Sequence, residues 1–231
     1  MSGLELPERL NAAAVFVDAH LDDGRDEKPA ILCEDRTVTY GDLAEGVNRF
    51  GNVVRGLGVR MEERVALLLP DSPEFAFTFF GAMKAGAVAI PLNTLLMPED
   101  YAYLLSDSRA RALVVHQSFL PNVTGVLKRL PHLEHVLVCG DETGGHTSLA
   151  EAMAQASPDL APADTSKDDA AFWLYSSGTT GFPKGAIHLH HDMVVAADLY
   201  ARGILGLEES DVSFSVAKLF FAYGLGNGLY F

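Results

Sequence analysis

Ten consecutive residues, Ser176, Ser177, Gly178, Thr179, Thr180, Gly181, Phe182, Pro183, Lys184 and Gly185, bring together four hydroxyls, three glycines and one lysine. Glycines let a backbone take up positive φ and approach a ligand without a Cβ in the way. Successive amides in such a loop can point at anionic oxygens. The hydroxyls add donors, and Lys184 adds a compact positive charge suited to a polyphosphate. Ser176, Ser177, Gly178, Thr179, Thr180, Gly181 and Lys184 are therefore the candidate nucleotide contacts, with Lys184 the candidate catalytic cation. A flexible Ser/Gly linker is the plain alternative, but a linker seldom follows an apolar run such as 170–175 directly. A Walker A loop needs G-x-x-x-x-G-K-[ST]. Counted from Gly178, position 183 is Pro and position 185 is Gly, so the hydroxyl that would follow the lysine is missing and a P-loop ATPase is disfavoured.

A second stretch, 217–231, joins aromatics to glycines around Phe220, Phe221, Ala222, Tyr223 and Gly224. Apolar and aromatic walls suit a flat apolar ligand. The competing reading is ordinary core, and it is the one preferred for Phe220. His188, His190 and His191 invite a metal reading, yet no further cysteine or histidine cluster supports it, and a structural or solvated role fits the ligand count better. Cys33 and Cys139 have no visible base partner and read as ordinary buried thiols.

These residues need elements to hold them. Residues 31–34 and 37–40 flank Asp35-Arg36 and predict a small hairpin. Thr39 and Asp42 form a helix-start signature, and Leu43, Val47, Phe50, Val54 and Leu57 follow at helical spacing to Gly58. Strands are expected at 64–69, 87–90, 112–115, 136–138, 170–175 and 212–216. Helices are expected from Ser72-Pro73-Glu74 to Lys84, from Pro98, near 123–130, and over 191–205. Strands alternating with helices imply an α/β fold with mostly parallel sheets and helices on both faces, and such sheets hold ligands at the carboxyl ends of their strands. The polar, proline-bearing segment 156–169 suggests a division into a first α/β subdomain over 1–160, with the hairpin near 31–40, and the start of a second over 161–231 that carries the loop.

Composition narrows the setting. A net charge of −14 repels nucleic acid and anionic membranes, so a bound polyphosphate must be met by a local exception to the overall field. Two cysteines without a paired framework suit a reducing cytoplasm. Residues 1–11 lack the apolar stretch of a signal peptide. The longest apolar stretch, 75–92, is broken by Gly81, Lys84 and Gly86 and does not read as a membrane span.

Residues 175–185 resemble the signature loop of the adenylate-forming superfamily of acyl- and aryl-CoA ligases, adenylation domains and luciferases. Thr39-Tyr40-Gly41-Asp42-Leu43 resembles that superfamily's TYGEL segment, and residues 85–93 resemble its AGAVxxPLN segment. The likeness runs from about residue 30 to the end. Residues 171–178 and 218–228 are similar more narrowly to benzoate–CoA ligases. The resemblance implies the incomplete large amino-terminal domain of an adenylate-forming enzyme, with ATP, Mg²⁺ and coenzyme A as cofactor and co-substrates and a small aromatic acid as substrate. It implies that Phe221, Ala222, Tyr223 and Gly224 line the acid pocket. The magnesium ligand, the ribose aspartate and the carboxy-terminal lysine would lie beyond Phe231. No nucleic-acid or membrane partner is expected, and oligomeric state is not readable.

Overall fold

The computed structural model describes residues 4–176 and 181–231. The hairpin forms as β1 (Pro29–Cys33) and β2 (Arg36–Thr39), antiparallel and separate from the main sheet. It follows a short helix, α1 (Ala19–Asp22), and leads into α2 (Tyr40–Gly56). The entry to α2 is a capping box. The Asp42 amide donates to Thr39 Oγ1 at 3.1 Å, and the Thr39 amide donates to the Asp42 carboxylate at 3.0 Å. Gly58, at φ +76, takes the left-handed turn that ends the run.

The main sheet has seven strands. Its members β3 (Arg64–Leu68), β4 (Val88–Pro91), β5 (Ala112–His116), β6 (His135–Cys139), β7 (Thr147–Ser148) and β8 (Ala170–Ser176) are parallel to their neighbours, and β9 (Lys184–Leu189) is an antiparallel edge. The spatial order is β7-β6-β5-β3-β4-β8-β9. Alternation along each strand assigns its two faces. Val65, Leu67, Ala89, Val114 and Leu137 join one core with residues of α2, α3 (Pro73–Lys84) and α6 (Leu149–Gln155). Ala66, Leu68, Ile90, Leu113, Val115 and Val138 join the other with α4 (Pro98–Ser108) and α5 (Leu120–Thr124). Helices on both faces are what the alternating pattern implied. Helices α2 and α3 cross closely because Gly81 lies against α2, where an added Cβ would meet the Val47 carbonyl at 2.8 Å.

Three expectations need correction or refinement. Residues 212–216, expected as a strand, pair with no strand among the described residues, and Val212, Phe214 and Val216 stand largely exposed. The helix expected over 191–205 starts one residue earlier as α7 (His190–Ala196) and relaxes into wider π-type turns over Ala197–Leu205. The segment near 123–130 is α5 followed by a single 3₁₀ turn, Leu127–Arg129. Strands β8 and β9 lie beyond residue 160 and still complete the same sheet.

The amino-terminal segment is fastened to the far end of this sheet. Leu10 and Thr165 exchange hydrogen bonds through the Leu10 amide (3.0 Å) and the Thr165 hydroxyl (2.7 Å). The Ala12 amide donates to His190 Nδ1 at 3.0 Å. That bond fixes the ring as the neutral Nε2–H tautomer, since a proton on Nδ1 would face the amide hydrogen. Burial holds the His190 pKa down at about 4, with Asp169 acting weakly in the opposite sense. In the unfolded chain the ring titrates near 6.5, so between these values the unfolded state binds the extra proton. Stability is therefore full above 6.5 and declines as pH falls toward 4. This one group is expected to remove up to about 3 kcal/mol. Urea midpoints at pH 7, 5.5 and 4.5 measure it. The His190→Asn variant, which keeps an acceptor for Ala12, should show a shallower decline, and an unchanged pH slope would refute the assignment.

Candidate functional site

The carboxyl ends of the parallel strands lie along one edge of the sheet, and Ser176 and Lys184 lie there. Strand β8 ends at Ser176, and β9 returns from Lys184, which is paired directly with Ser176 in the antiparallel ladder. Ser177, Gly178, Thr179 and Thr180 lie outside the described residues. Gly181 has φ +145, a conformation open to glycine and strained for any side chain. Lys184 is exposed at the first position of β9. A tether to the ladder on one side and, on the other, an exposed side chain that makes no ion pair among the described residues is a suitable arrangement for meeting an anion.

Helix α4 holds both stems of this turn. The Tyr175 hydroxyl donates to Asp107 Oδ2 at 2.6 Å. Burial, reinforced by the Asp107 carboxylate, holds the Tyr175 phenol well above its usual range. On the other stem, the Tyr103 hydroxyl donates to the Pro183 carbonyl at 3.1 Å, and the Tyr103 ring stacks on Phe182 with centroids 4.8 Å apart. Nothing local in the sequence marks Tyr103 and Asp107, 80 and 68 residues from the groups they bind, as partners of the loop.

The aromatic segment reaches the same edge from another direction. Asp71, in the turn after β3, accepts the Leu219 amide at 3.0 Å, and its other oxygen lies 3.4 Å from Lys218 Nζ. Strands β3 and β8 flank β4, so the Asp71 turn and the lysine loop leave the sheet two strand spacings apart, about 10 Å. Phe220 is buried, as expected of core, with its ring 4.5 Å from that of Phe221. Phe221, Ala222 and Tyr223 are exposed and Gly224 is buried. The short helix α8 (Ala222–Leu225) turns back over 217–218, and a Cβ on Gly224 would collide with the Ala217 and Lys218 carbonyls. Tyr223 lines a cavity of about 290 Å³ with Leu205, Leu207, Phe214, Val216 and Asn227.

Another cavity, about 440 Å³, opens at the carboxyl ends of β3, β5 and β6 between Pro70, Phe77, His116, Gly140 and Met153. Its lining includes Cys139, whose thiol is pushed up to about 11 chiefly by burial and so stays protonated and unreactive. The histidines have structural surroundings. His188 stacks on Phe172 with centroids 4.5 Å apart, and His191 Nδ1 lies 3.0 Å from the Lys167 carbonyl and 3.1 Å from Asp168. Among the described residues no group of three His, Cys, Asp or Glu side chains could hold a metal ion. Nor, among them, is any helix long and apolar enough to cross a membrane.

Comparison with known proteins agrees with this fold. Residues 18–231 match the family described as AMP-binding enzyme. The chain is 48% identical over 229 residues to a benzoate–CoA ligase of Thauera aromatica, covering 99% of this chain and 43% of that protein. It is 44% identical over 220 residues to a 4-hydroxybenzoate–CoA/benzoate–CoA ligase of Rhodopseudomonas palustris, covering 95% and 41%. The structure superposes with a TM-score of 0.93 on an anthranilate CoA ligase in complex with anthranoyl-AMP, at 42% identity over 96% of this chain and 43% of that one. A benzoate CoA ligase from Burkholderia xenovorans LB400 superposes with a TM-score of 0.87 at 41% identity, covering 96% and 43%. The chain thus spans about two-fifths of the length of these relatives. A seven-stranded, mostly parallel sheet with the Ser/Gly/Thr/Lys loop at the carboxyl end of one strand, matched over residues 18–231, places this chain in the AMP-binding enzyme family.

Proposed function

We propose that this chain is part of an ATP-dependent aryl-CoA ligase whose preferred acid is benzoate. The observation that carries the reading is that the lysine loop and the Asp71 turn, which holds Leu219 just ahead of Phe221–Tyr223, leave the sheet at the carboxyl ends of strands two apart. In the first half-reaction a carboxylate oxygen of the acid attacks the α-phosphorus of ATP, and diphosphate leaves on the opposite side. Backbone amides and hydroxyls of 176–181 hold the β- and γ-phosphates, and Lys184 stabilises the charge that develops on the leaving group. In the second, the thiol of coenzyme A attacks the acyl-adenylate carbonyl, and AMP leaves. Tyr223 and its neighbours supply an apolar wall for the ring. Magnesium accompanies ATP in such chemistry, but the described residues offer no group of three His, Cys, Asp or Glu side chains to hold it. The benzoate preference is supported by the identity to the Thauera aromatica ligase. The R. palustris relative and the anthranilate ligase favour a second reading, in which the ring carries a hydroxyl or amino group.

The complete enzyme carrying this chain should catalyse diphosphate exchange into ATP that depends on benzoate. Exchange with long-chain fatty acids and none across a panel of benzoates would overturn the aryl assignment. Residues 1–231 by themselves are expected to be catalytically silent, and release of a benzoyl-adenylate by this piece alone would overturn that. Residues 1–160 form a first α/β subdomain, and a second begins at 161–231 with the loop. Strands β8 and β9 serve as its bridge to the first.

A further inference from the structure

We propose that Tyr103 and Asp107 of α4 are positioning residues for Lys184, a role that rests on the nucleotide-handling reading of the loop. They sit four residues apart, on one face of the helix, with one turn between them. Each grips a different stem of the β8–β9 turn. Asp107 takes the hydroxyl of Tyr175, which immediately precedes Ser176. Tyr103 takes the carbonyl of Pro183, which immediately precedes Lys184, and stacks on Phe182.

The ladder cannot do this job alone. Among the described residues its last pair toward the turn is Ser176–Lys184. The next residue on the β9 side, Pro183, has no N–H to donate, and Gly181 leaves the extended region altogether. Among the described residues, the hydrogen bond that holds the backbone just before Lys184 comes from a side chain, Tyr103. Phe182 meets the same side chain: it is 72% exposed, and the Tyr103 face is its one aromatic contact among the described residues. An exposed phenylalanine stacked at the root of a phosphate loop has little value as core. It does fix the direction in which the strand leaves the turn. With both stems pinned to one rigid helix, Lys184 Cα is held in register with Ser176, and its ammonium has a defined arc.

The test is a split between ATP and the acid. Tyr103→Ala and Asp107→Ala should each raise the KM for ATP, and weaken ATP binding in equilibrium dialysis, by roughly tenfold, the scale of one charge-assisted or stacked contact. The KM for the acid should stay within about twofold, because the acid segment is anchored separately at Asp71. Asp107→Asn keeps an acceptor for the Tyr175 hydroxyl and should restore ATP affinity to within about twofold. Tyr103→Phe keeps the stack and loses only the hydrogen bond, so it should fall between wild type and alanine. If the KM values for ATP and acid rise together, if asparagine fails to rescue, or if ATP affinity does not change, the positioning role is refuted. Should Tyr103→Ala not fold, the Asp107 pair decides. Wild-type enzyme that binds ATP without any acid-dependent exchange would sink the ligase reading, while the affinity ratios would still judge this proposal. Wild type that fails to bind ATP would sink both.

Discussion

Replacing Lys184 by alanine is expected to lower benzoate-dependent diphosphate exchange in the complete enzyme by about 10²–10³-fold, the usual loss when one preorganised donor to developing charge is removed. The field of these 231 residues, at −14, opposes any polyphosphate, so a single well-placed cation counts for more here than on a neutral surface. Lys184 is also placed where its removal leaves the fold intact. It begins an edge strand, its side chain is exposed, and among the described residues it makes no ion pair. The thermal midpoint should stay within the range of an ordinary surface change, about 0.5 kcal/mol. Lys184→Arg is expected to recover only part of the rate, since a planar fork cannot occupy the place of a compact ammonium. An alanine variant with normal exchange would remove Lys184 from the chemistry. A variant with lost exchange and a lowered midpoint would mean that the lysine is structural.

The framework of this site was open to reading because its signals are local. The Thr39/Asp42 capping box, the proline at the start of α3, and the aliphatic runs of β3, β5 and β6 each lie within a few residues of the structure they specify. β9 was missed for a physical reason. Lys184, Gly185 and His188 break the aliphatic pattern, and the strand exists because β8 offers it a ladder, which is a fact about pairing and not about its own residues. Residues 212–216 fail in the opposite sense. Val212, Phe214 and Val216 alternate as a strand should, but a pleated pattern becomes a strand only beside a partner, and no strand pairs with them among the described residues. At the site, the glycines and hydroxyls announce the loop. Tyr103 and Asp107, which bond to its stems, and Asp71, which holds Leu219, are brought in by tertiary contact and carry no motif.

Lys84 shows the same limit, and supports the largest expected effect on stability. In sequence it only interrupts an apolar stretch. In the fold it is buried at the end of α3, and its ammonium donates to Asp18 at 2.6 Å and to Asn48 Oδ1 at 2.5 Å. The Asn48 amide is itself oriented by donating to the Pro158 carbonyl at 2.8 Å, so its oxygen is committed to the lysine. One ammonium thus joins the amino-terminal segment, α2 and α3. Asp18→Ala would leave that charge buried with a single neutral acceptor. The expected cost is about 3 kcal/mol, the low end for breaking such a pair because Asp18 is partly solvated. For a domain of this size that corresponds to roughly 6–12 °C in the thermal midpoint. Lys84→Met should cost much less, since methionine fills the same space and Asp18 can turn to water. The double variant should then recover most of the Asp18→Ala loss, although it removes more of the interaction. That inversion separates a charge left unpaired from a contact merely lost. If the two changes instead add, the ammonium reaches solvent when its partner is gone, and the pair serves as a surface bridge would.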